Sequence, residues 1–342
     1  MSGFSGNTTA PDPAFISTWA EKLLSGDRRI LAKAVTLVES TRPDHRDQAE
    51  ALIAAVMPHT GQSTRIGISG VPGVGKSTFI EAFGQHVTDL GHRIAVLAVD
   101  PSSKRAGGSI LGDKTRMEVL SRNPAAFIRP SPAGSTLGGV ARRTRESMLL
   151  CEAAGFDVIL VETVGVGQSE TAVADMTDMF LLLLLPAGGD ELQGLKKGIV
   201  ELADMVLVNK ADGDLAAQAK RTAADYHGAL RLLNKVQADW TVPVLPCSAV
   251  TGQGVDEAWT RIQAFRDLGT GNGAFQARRR DQARSWLWDE LLAELTQRLR
   301  RDETVRDMLP AVQKAVADGD LPAPIGARRL VDALLRGRDG QG

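Results

Sequence analysis

The string Gly70-Val71-Pro72-Gly73-Val74-Gly75-Lys76-Ser77 constrains this chain more than any other. It fits the pattern GxxxxGK[ST]: a strand stops, the backbone wraps with its N–H groups turned inward, and a helix begins. The flanks comply. Arg65 to Ser69 reads as a short apolar strand, and Lys76 to about Leu90 as a helix. Such a loop cradles phosphates through its amides and the helix N-terminus behind them. The phosphate-binding candidates are Gly70, Val71, Pro72, Gly73, Val74, Gly75, Lys76, Ser77 and Thr78. Lys76 would reach the β and γ phosphates, and the Ser77 hydroxyl would bind Mg²⁺.

A second string, Asn209-Lys210-Ala211-Asp212, fits NKxD. A carboxylate at Asp212 can accept from guanine N1–H and the exocyclic amine, and adenine offers neither. Asn209 would brace the loop and touch N7, and the Lys210 stem would lie along the base. Ser248-Ala249 is similar to loops whose backbone N–H reads guanine O6. NKxD alone also describes a solvated Asn-Lys turn. At a strand end, downstream of a phosphate loop, it points to GTP.

Between and around these strings, strands and helices alternate. The apolar runs Arg93–Val99, Ala126–Ile128, Val158–Val161, Met179–Leu185, Met205–Val208 and Val242–Leu245 read as strands, and Leu137–Ala154 as a helix. Continuous apolar strands separated by helices imply a parallel sheet covered on both faces. The motifs fall at strand C-termini, where ligands bind in such sheets. The expected fold is α/β, a doubly wound, mainly parallel sheet over residues 62–269. Residues 1–61 precede it as a tail to about residue 13 and a helical extension, with Leu31, Val35, Val38, Leu52 and Val56 at helical spacing. Gly269–Gly273 reads as a linker. Residues 270–342 form a helical C-terminal region, with one helix from Ala277 to about Leu309 and a last one from Gly326 to Leu335. Trp288, Leu291, Leu292, Leu295 and Leu299 form an apolar stripe, open to packing on its own domain or to docking a partner.

Bulk properties narrow the class. Forty Lys and Arg stand against 41 Asp and Glu, so no basic excess points to nucleic acid. The longest apolar run is too short to span a bilayer. No Lys or Arg precedes Lys22, no Arg precedes Arg28, and no apolar leader core is present; a cytoplasmic protein without secretory or transit leader is expected. The two cysteines, Cys151 and Cys247, build no disulfide framework.

The hydrolytic candidates are carboxylates and one glycine. Glu162-Thr163-Val164-Gly165 occupies the place of the usual DxxG. Glu162 would hold a Mg²⁺-bound water, and the Gly165 N–H would sense the γ phosphate. Asp100 is a second candidate for the Mg²⁺ shell. Asp113, after the glycine-rich stretch Gly107–Gly112, is either a third or a helix N-cap. A water-positioning Gln would follow the Gly of this motif. Val166 stands there instead and the nearest Gln is Gln168, so slow unaided hydrolysis accelerated by a partner is expected.

The strings VDPSS (99–103), GGSILGDKTRM (107–117), ETVGVGQSE (162–170) and GDELQGLKKGIVELAD (189–204), with NKAD, resemble the MeaB/ArgK-type, MMAA-like G-protein chaperones of methylmalonyl-CoA mutase. The likeness runs from about Gly26 to Leu330. It implies a P-loop GTPase domain of the SIMIBI class, a helical N-terminal extension, and a C-terminal arm that makes a homodimer. Glu at the Glu162 position is usual in that family. The resemblance implies Lys76, Asp113, Glu162 and Gly165 as catalytic, and Ser77, Asp100 and Glu162 around Mg²⁺. It places Asp190, Gln193 and Lys196 in a third switch-like segment that answers the partner. The implied ligands are GTP, GDP and Mg²⁺, with no cobalamin site of the chain's own. The implied partner is an adenosylcobalamin-dependent methylmalonyl-CoA mutase or a related acyl-CoA mutase, not nucleic acid or membrane.

Other readings of the phosphate loop compete. A small-molecule or protein kinase, as older amino-acid-transport naming in the family suggests, would have little use for NKAD. A secretion-targeting GTPase would call for a Met-rich region, and the eight Met are dispersed. A nickel-insertion GTPase would carry His-rich or Cys-paired ligands that this sequence lacks.

Overall fold

Seven parallel strands run in the order β3-β2-β4-β1-β5-β6-β7, so the first strand lies at the centre. The computed structural model describes residues 12–99, 117–130, 137–163, 169–186, 197–232 and 239–339. Within these, the strands are β1 (Thr64–Gly70), β2 (Ile94–Val99), β3 (Ala126–Arg129), β4 (Val158–Thr163), β5 (Met179–Leu184), β6 (Met205–Val208) and β7 (Val244–Pro246). β2, β4, β5 and β6 are buried at every position, which is why they read as unbroken apolar runs. β1 pairs with β4 on one side (Ile68 opposite Glu162) and β5 on the other (Gly70 opposite Leu183). Chain order therefore breaks around β1, and a crevice opens at the C-terminal ends of the strands there.

One face of the sheet is covered by α4 (Lys76–Asp89) and α10 (Val255–Gly271), through Phe79, Ile80, Phe83, Trp259, Ile262 and Phe265. The other is covered by α6 (Leu137–Ala153) and α9 (Ala216–Leu232). The N-terminal extension is three helices, α1 (Pro13–Leu24), α2 (Arg28–Glu39) and α3 (Pro43–Val56). Leu23, Leu31, Val35, Leu52 and Val56 are fully buried in the same core as α6. Asp12 and Asp27 cap α1 and α2 by accepting from Ala14 N and Arg29 N. Among the described residues, three further short helices lie in the sheet connections: α5 (Glu118–Arg122), α7 (Ser169–Ala174) and α8 (Lys197–Leu202).

By contacts the chain divides into two compact units, residues 1–279 and 280–342. The second comprises the remainder of α11 (Ala274–Arg301), α12 (Glu303–Ala317) and α13 (Ala323–Asp339). Val305 and Leu321 are buried in it, and Gly326 meets Val312 and Val316 so closely that a Cβ there would lie 3.0 and 3.2 Å from their methyls.

Several boundaries differ from the sequence reading; the last helix, for one, runs Ala323–Asp339 rather than Gly326–Leu335. Gly269–Gly273 is not an extended linker: α10 continues to Gly271, because Gly269 packs against the Phe275 ring where a Cβ would sit 3.1 Å away. The helix expected from Ala277 to Leu309 is two helices. Asp302 ends the first and caps the second, accepting from Val305 N at 2.9 Å. The last strand is Val244–Pro246 rather than Val242–Leu245.

At the N-terminal end of β1, opposite the crevice, a buried ion network ties the sheet together. Arg279 donates Nε to Asp178 Oδ1 (2.7 Å) and Nη2 to Asp178 Oδ2 (2.6 Å), and also reaches the carbonyls of Gly61 and Ser63. Asp178 also accepts from Arg65 N. Arg65 in turn forks onto Glu152 at 2.8 and 3.0 Å, and Ser63 Oγ and Gly61 N donate to the same carboxylate. Burial pushes the Glu152 carboxyl up, but these donors outweigh it and hold it below its ordinary value of 4.5. Its contribution to stability is present above that value and is lost as pH falls through the depressed folded value.

The Asp178 side chain is 1% exposed, and the Arg279 side chain 21%. Arg279→Ala should therefore cost about 3 kcal/mol, because it leaves a buried carboxylate without its fork. Urea unfolding of the two proteins measures this; a loss under about 1 kcal/mol would mean the pair contributes little.

Candidate nucleotide site

β1 delivers the chain to Gly70, the loop 71–75 turns, and α4 starts at Lys76. Sterics select the glycines. A Cβ on Gly70 would lie 2.6 Å from Leu183 O. Gly75 has φ +92°, and a Cβ there would lie 2.7 Å from Asn209 Nδ2. Gly75 is also the N-cap of α4 and offers no side-chain acceptor. The first-turn N–H groups of a helix have no intrahelical partner, so the N-terminus presents donors and a positive dipole end to an anion.

Lys76 is 9% exposed, and its Nζ donates to Gly70 O at 2.7 Å. Burial lowers its pKa, while the buried carboxylates Glu162 and Glu170 pull the other way. Ser77 is half-buried and Thr78 exposed on the same first turn. Glu162 lies near the end of β4, in register with Ile68 of β1 and Ala98 of β2. Beside it Thr163 Oγ1 donates to Ser69 Oγ at 2.9 Å, tying the ends of β1 and β4.

The second string follows β6. Asn209 is 1% exposed; its Nδ2 donates to Val74 O at 2.8 Å, and its Oδ1 accepts from Ala249 N at 3.1 Å. One amide thus bonds the phosphate loop and the Ser248-Ala249 loop together. Lys210 is exposed with φ +58°, the left-handed region. Ala211 N donates to Cys247 O, and Cys247 N to Val208 O. The fully buried Ser248 donates its hydroxyl to Asp212 Oδ1 at 2.6 Å and orients that carboxylate. Ser248 N is bonded to Gln253 O, so both N–H groups of Ser248-Ala249 have partners within the protein. Burial pushes the Cys247 thiol up to about 12, so it packs beneath the loop as a neutral group.

The described structure thus brings together Gly70–Thr78, Glu162, Asn209, Lys210, Asp212, Ser248 and Ala249 at one end of the sheet. Asp100, Asp113, Gly165, Asp190, Gln193 and Lys196 lie outside the described residues. Sequence reasoning missed the Ser248 hydroxyl's grip on Asp212 and the buried Glu170, whose charge raises the Lys76 pKa. The first is implicit in NKxD followed by a Ser-Ala pair; the second has no local signal.

A phosphate loop after the central strand and NKxD after β6 of a parallel sheet are the parts of a P-loop GTPase. The family model described as methylmalonyl-CoA mutase-associated GTPase MeaB matches residues 31–304. The chain belongs to this family and is a GTPase, hydrolysing GTP to GDP and phosphate. A relative from Caulobacter vibrioides is 57% identical over 319 residues, 93% of this chain and 98% of its own. The mitochondrial methylmalonic aciduria type A homolog of Mus musculus is 46% identical, covering 94% of this chain and 79% of its own. A crystal structure of a protein named LAO/AO transport system kinase superposes with TM-score 0.73 at 40% identity, over 94% of this chain and 98% of that one.

The guanine assignment is tested at Asp212. Asp212→Asn should cut GTP affinity on the order of 100-fold, since a donor replaces an acceptor, and raise relative affinity for xanthosine triphosphate. Calorimetric titration with both nucleotides measures it; unchanged GTP affinity would contradict the assignment.

Proposed function

We propose that this GTPase is a chaperone of an adenosylcobalamin-dependent acyl-CoA mutase, most directly methylmalonyl-CoA mutase. In this reading GTP binding and hydrolysis gate cofactor loading and protect the mutase from inactivation. The observation that carries it is the family match over residues 31–304, since that family is named for its association with the mutase. The 46% identity to a methylmalonic aciduria type A homolog supports it. The kinase reading suggested by the name of the superposed protein is set aside, because NKAD with an oriented Asp212 equips the site for guanine.

In the proposed site the Gly70–Thr78 amides and Lys76 hold the phosphates. Leaving Gly70 O, Lys76 would bring its charge to the β and γ oxygens, where negative charge develops. Asp212 reads the N1–H and amine edge, and Lys210 covers the base. Asn209 would touch N7 while bracing the loops, and Ala249 N–H would be shared with guanine O6. The residues fit Mg²⁺, since the Ser77 hydroxyl and Glu162 carboxylate are hard oxygen donors at one strand end. Mg²⁺ would neutralise phosphate charge there. Asp100, Asp113 and Gly165 complete the hydrolytic set, and Asp190, Gln193 and Lys196 answer the partner. The chain supplies no cobalamin site in this reading.

The regions 1–61, 62–269 and 270–342 are proposed as extension, GTPase domain and dimerisation arm. In support, α11 exposes Leu287, Trp288, Leu291, Leu292 and Leu295, with Trp288 64% open to solvent. Among the described residues no helix is long and apolar enough to cross a membrane, and a cytoplasmic protein is proposed. The gating is a linkage: if the mutase binds one nucleotide state better, nucleotide state shifts mutase affinity by the same factor.

Unaided turnover should be slow, well under about 10 per second, and should rise when the cognate mutase is added. Phosphate release with and without candidate mutases, combined with co-purification, decides it. Failure of every acyl-CoA mutase to bind or stimulate would overturn the chaperone reading.

A further inference from the structure

β1 and β4 are neighbours in the sheet, but they do not stay paired to their ends. Their register runs from Thr64 opposite Val158 to Ile68 opposite Glu162 and stops there. Beyond that point each strand keeps a different partner. β1 continues against β5, with Ser69 opposite Leu182 and Gly70 opposite Leu183. β4 continues against β2, with Thr163 opposite Val99. Two banks result. One leads into the phosphate loop and Lys76, and the other carries Glu162.

A side-chain bond spans the banks just past the last registered pair: Thr163 Oγ1 donates to Ser69 Oγ at 2.9 Å. Ser69 immediately precedes Gly70, and Thr163 immediately follows Glu162. Both are buried, Thr163 at 0% exposure and Ser69 at 2%. Stability alone does not call for hydroxyls here, because apolar groups of the same shape can replace both members of a buried hydrogen-bonded pair with little loss. Direction is what apolar contact lacks. A hydrogen bond fixes both distance and angle, and hydrophobic burial fixes neither. Glu162 is itself 5% exposed, and its charge acts on Lys76 of the opposite bank.

We infer that Thr163, through Ser69, is a positioning residue for GTP hydrolysis: the hydroxyl pair sets the span between the phosphate loop and the Glu162 carboxylate. Thr163 acts through Glu162 and the loop and contacts neither GTP nor Mg²⁺. The inference rests on the reading of Glu162 as the carboxylate that serves Mg²⁺ and its water.

The test uses the full chain and reads kcat, urea unfolding, and GTP affinity with Mg²⁺ present and with Mg²⁺ chelated. Thr163→Val keeps the shape and removes the donor. It should lower kcat at least about fivefold. It should also shrink, by at least about threefold, the gain in GTP affinity that Mg²⁺ confers, while affinity without Mg²⁺ holds. Thr163→Ser keeps the hydroxyl and should recover most of both. The double variant Ser69→Ala/Thr163→Val should unfold close to wild type, since both partners are replaced, yet hydrolyse no faster than Thr163→Val. It carries the same test should the single variant not fold. Wild-type kcat and Mg²⁺ gain in Thr163→Val or in the double variant would overturn the inference while the Glu162 reading stands. So would an equal fall in affinity with and without Mg²⁺, or a loss in Thr163→Ser as large as in Thr163→Val. Wild-type hydrolysis by Glu162→Gln would instead overturn the Glu162 reading, and the inference with it.

Discussion

The side chain of Asn209 joins the two halves of the nucleotide site. Its amide donates to Val74 O in the phosphate loop and accepts from Ala249 N in the loop beside Asp212. Both bonds are buried, so neither partner could turn to water if the amide were lost. The arrangement explains Gly75 as well, since any side chain there would collide with the Asn209 amide. The phosphate loop and the Ser248-Ala249 loop are thus bonded to one another through a single buried amide. In the proposed site a nucleotide held at one loop would meet the other already in place.

The two ends of the sheet carry different burdens. The C-terminal ends lead into the glycines of the 70–75 loop and the buried Lys76, the proposed anion site. The N-terminal ends hold the Arg279–Asp178 and Arg65–Glu152 pairs, which satisfy one another and hold Gly61 and Ser63 in place.

Much of this was legible in the sequence, for physical reasons. Parallel strands buried on both faces must be continuously apolar, so β2, β4, β5 and β6 declared themselves. Gly70–Ser77 and Asn209–Asp212 were readable because their chemistry depends on fixed local spacing. Two of the misread boundaries have different causes, side-chain packing at one and a local cap at the other. Gly269 stays helical because Phe275 packs on it, and Asp302 breaks a strongly helical stretch by capping α12. The Arg279–Asp178 pair and the Thr163–Ser69 bond were invisible. They join residues 101 and 94 positions apart, and neither leaves a pattern within a sequence window.

In the proposed site, phosphate loop and guanine loop act as one unit through Asn209. The most direct measurement is calorimetric affinity of Asn209→Ala for GTP, GDP and ATP beside the unaltered chain. If the joint is real, GTP and GDP should weaken together by on the order of 100-fold, from two lost buried bonds, and the preference for GTP over ATP should shrink. A loss of less than about threefold, or a loss for GTP with GDP untouched, would contradict it.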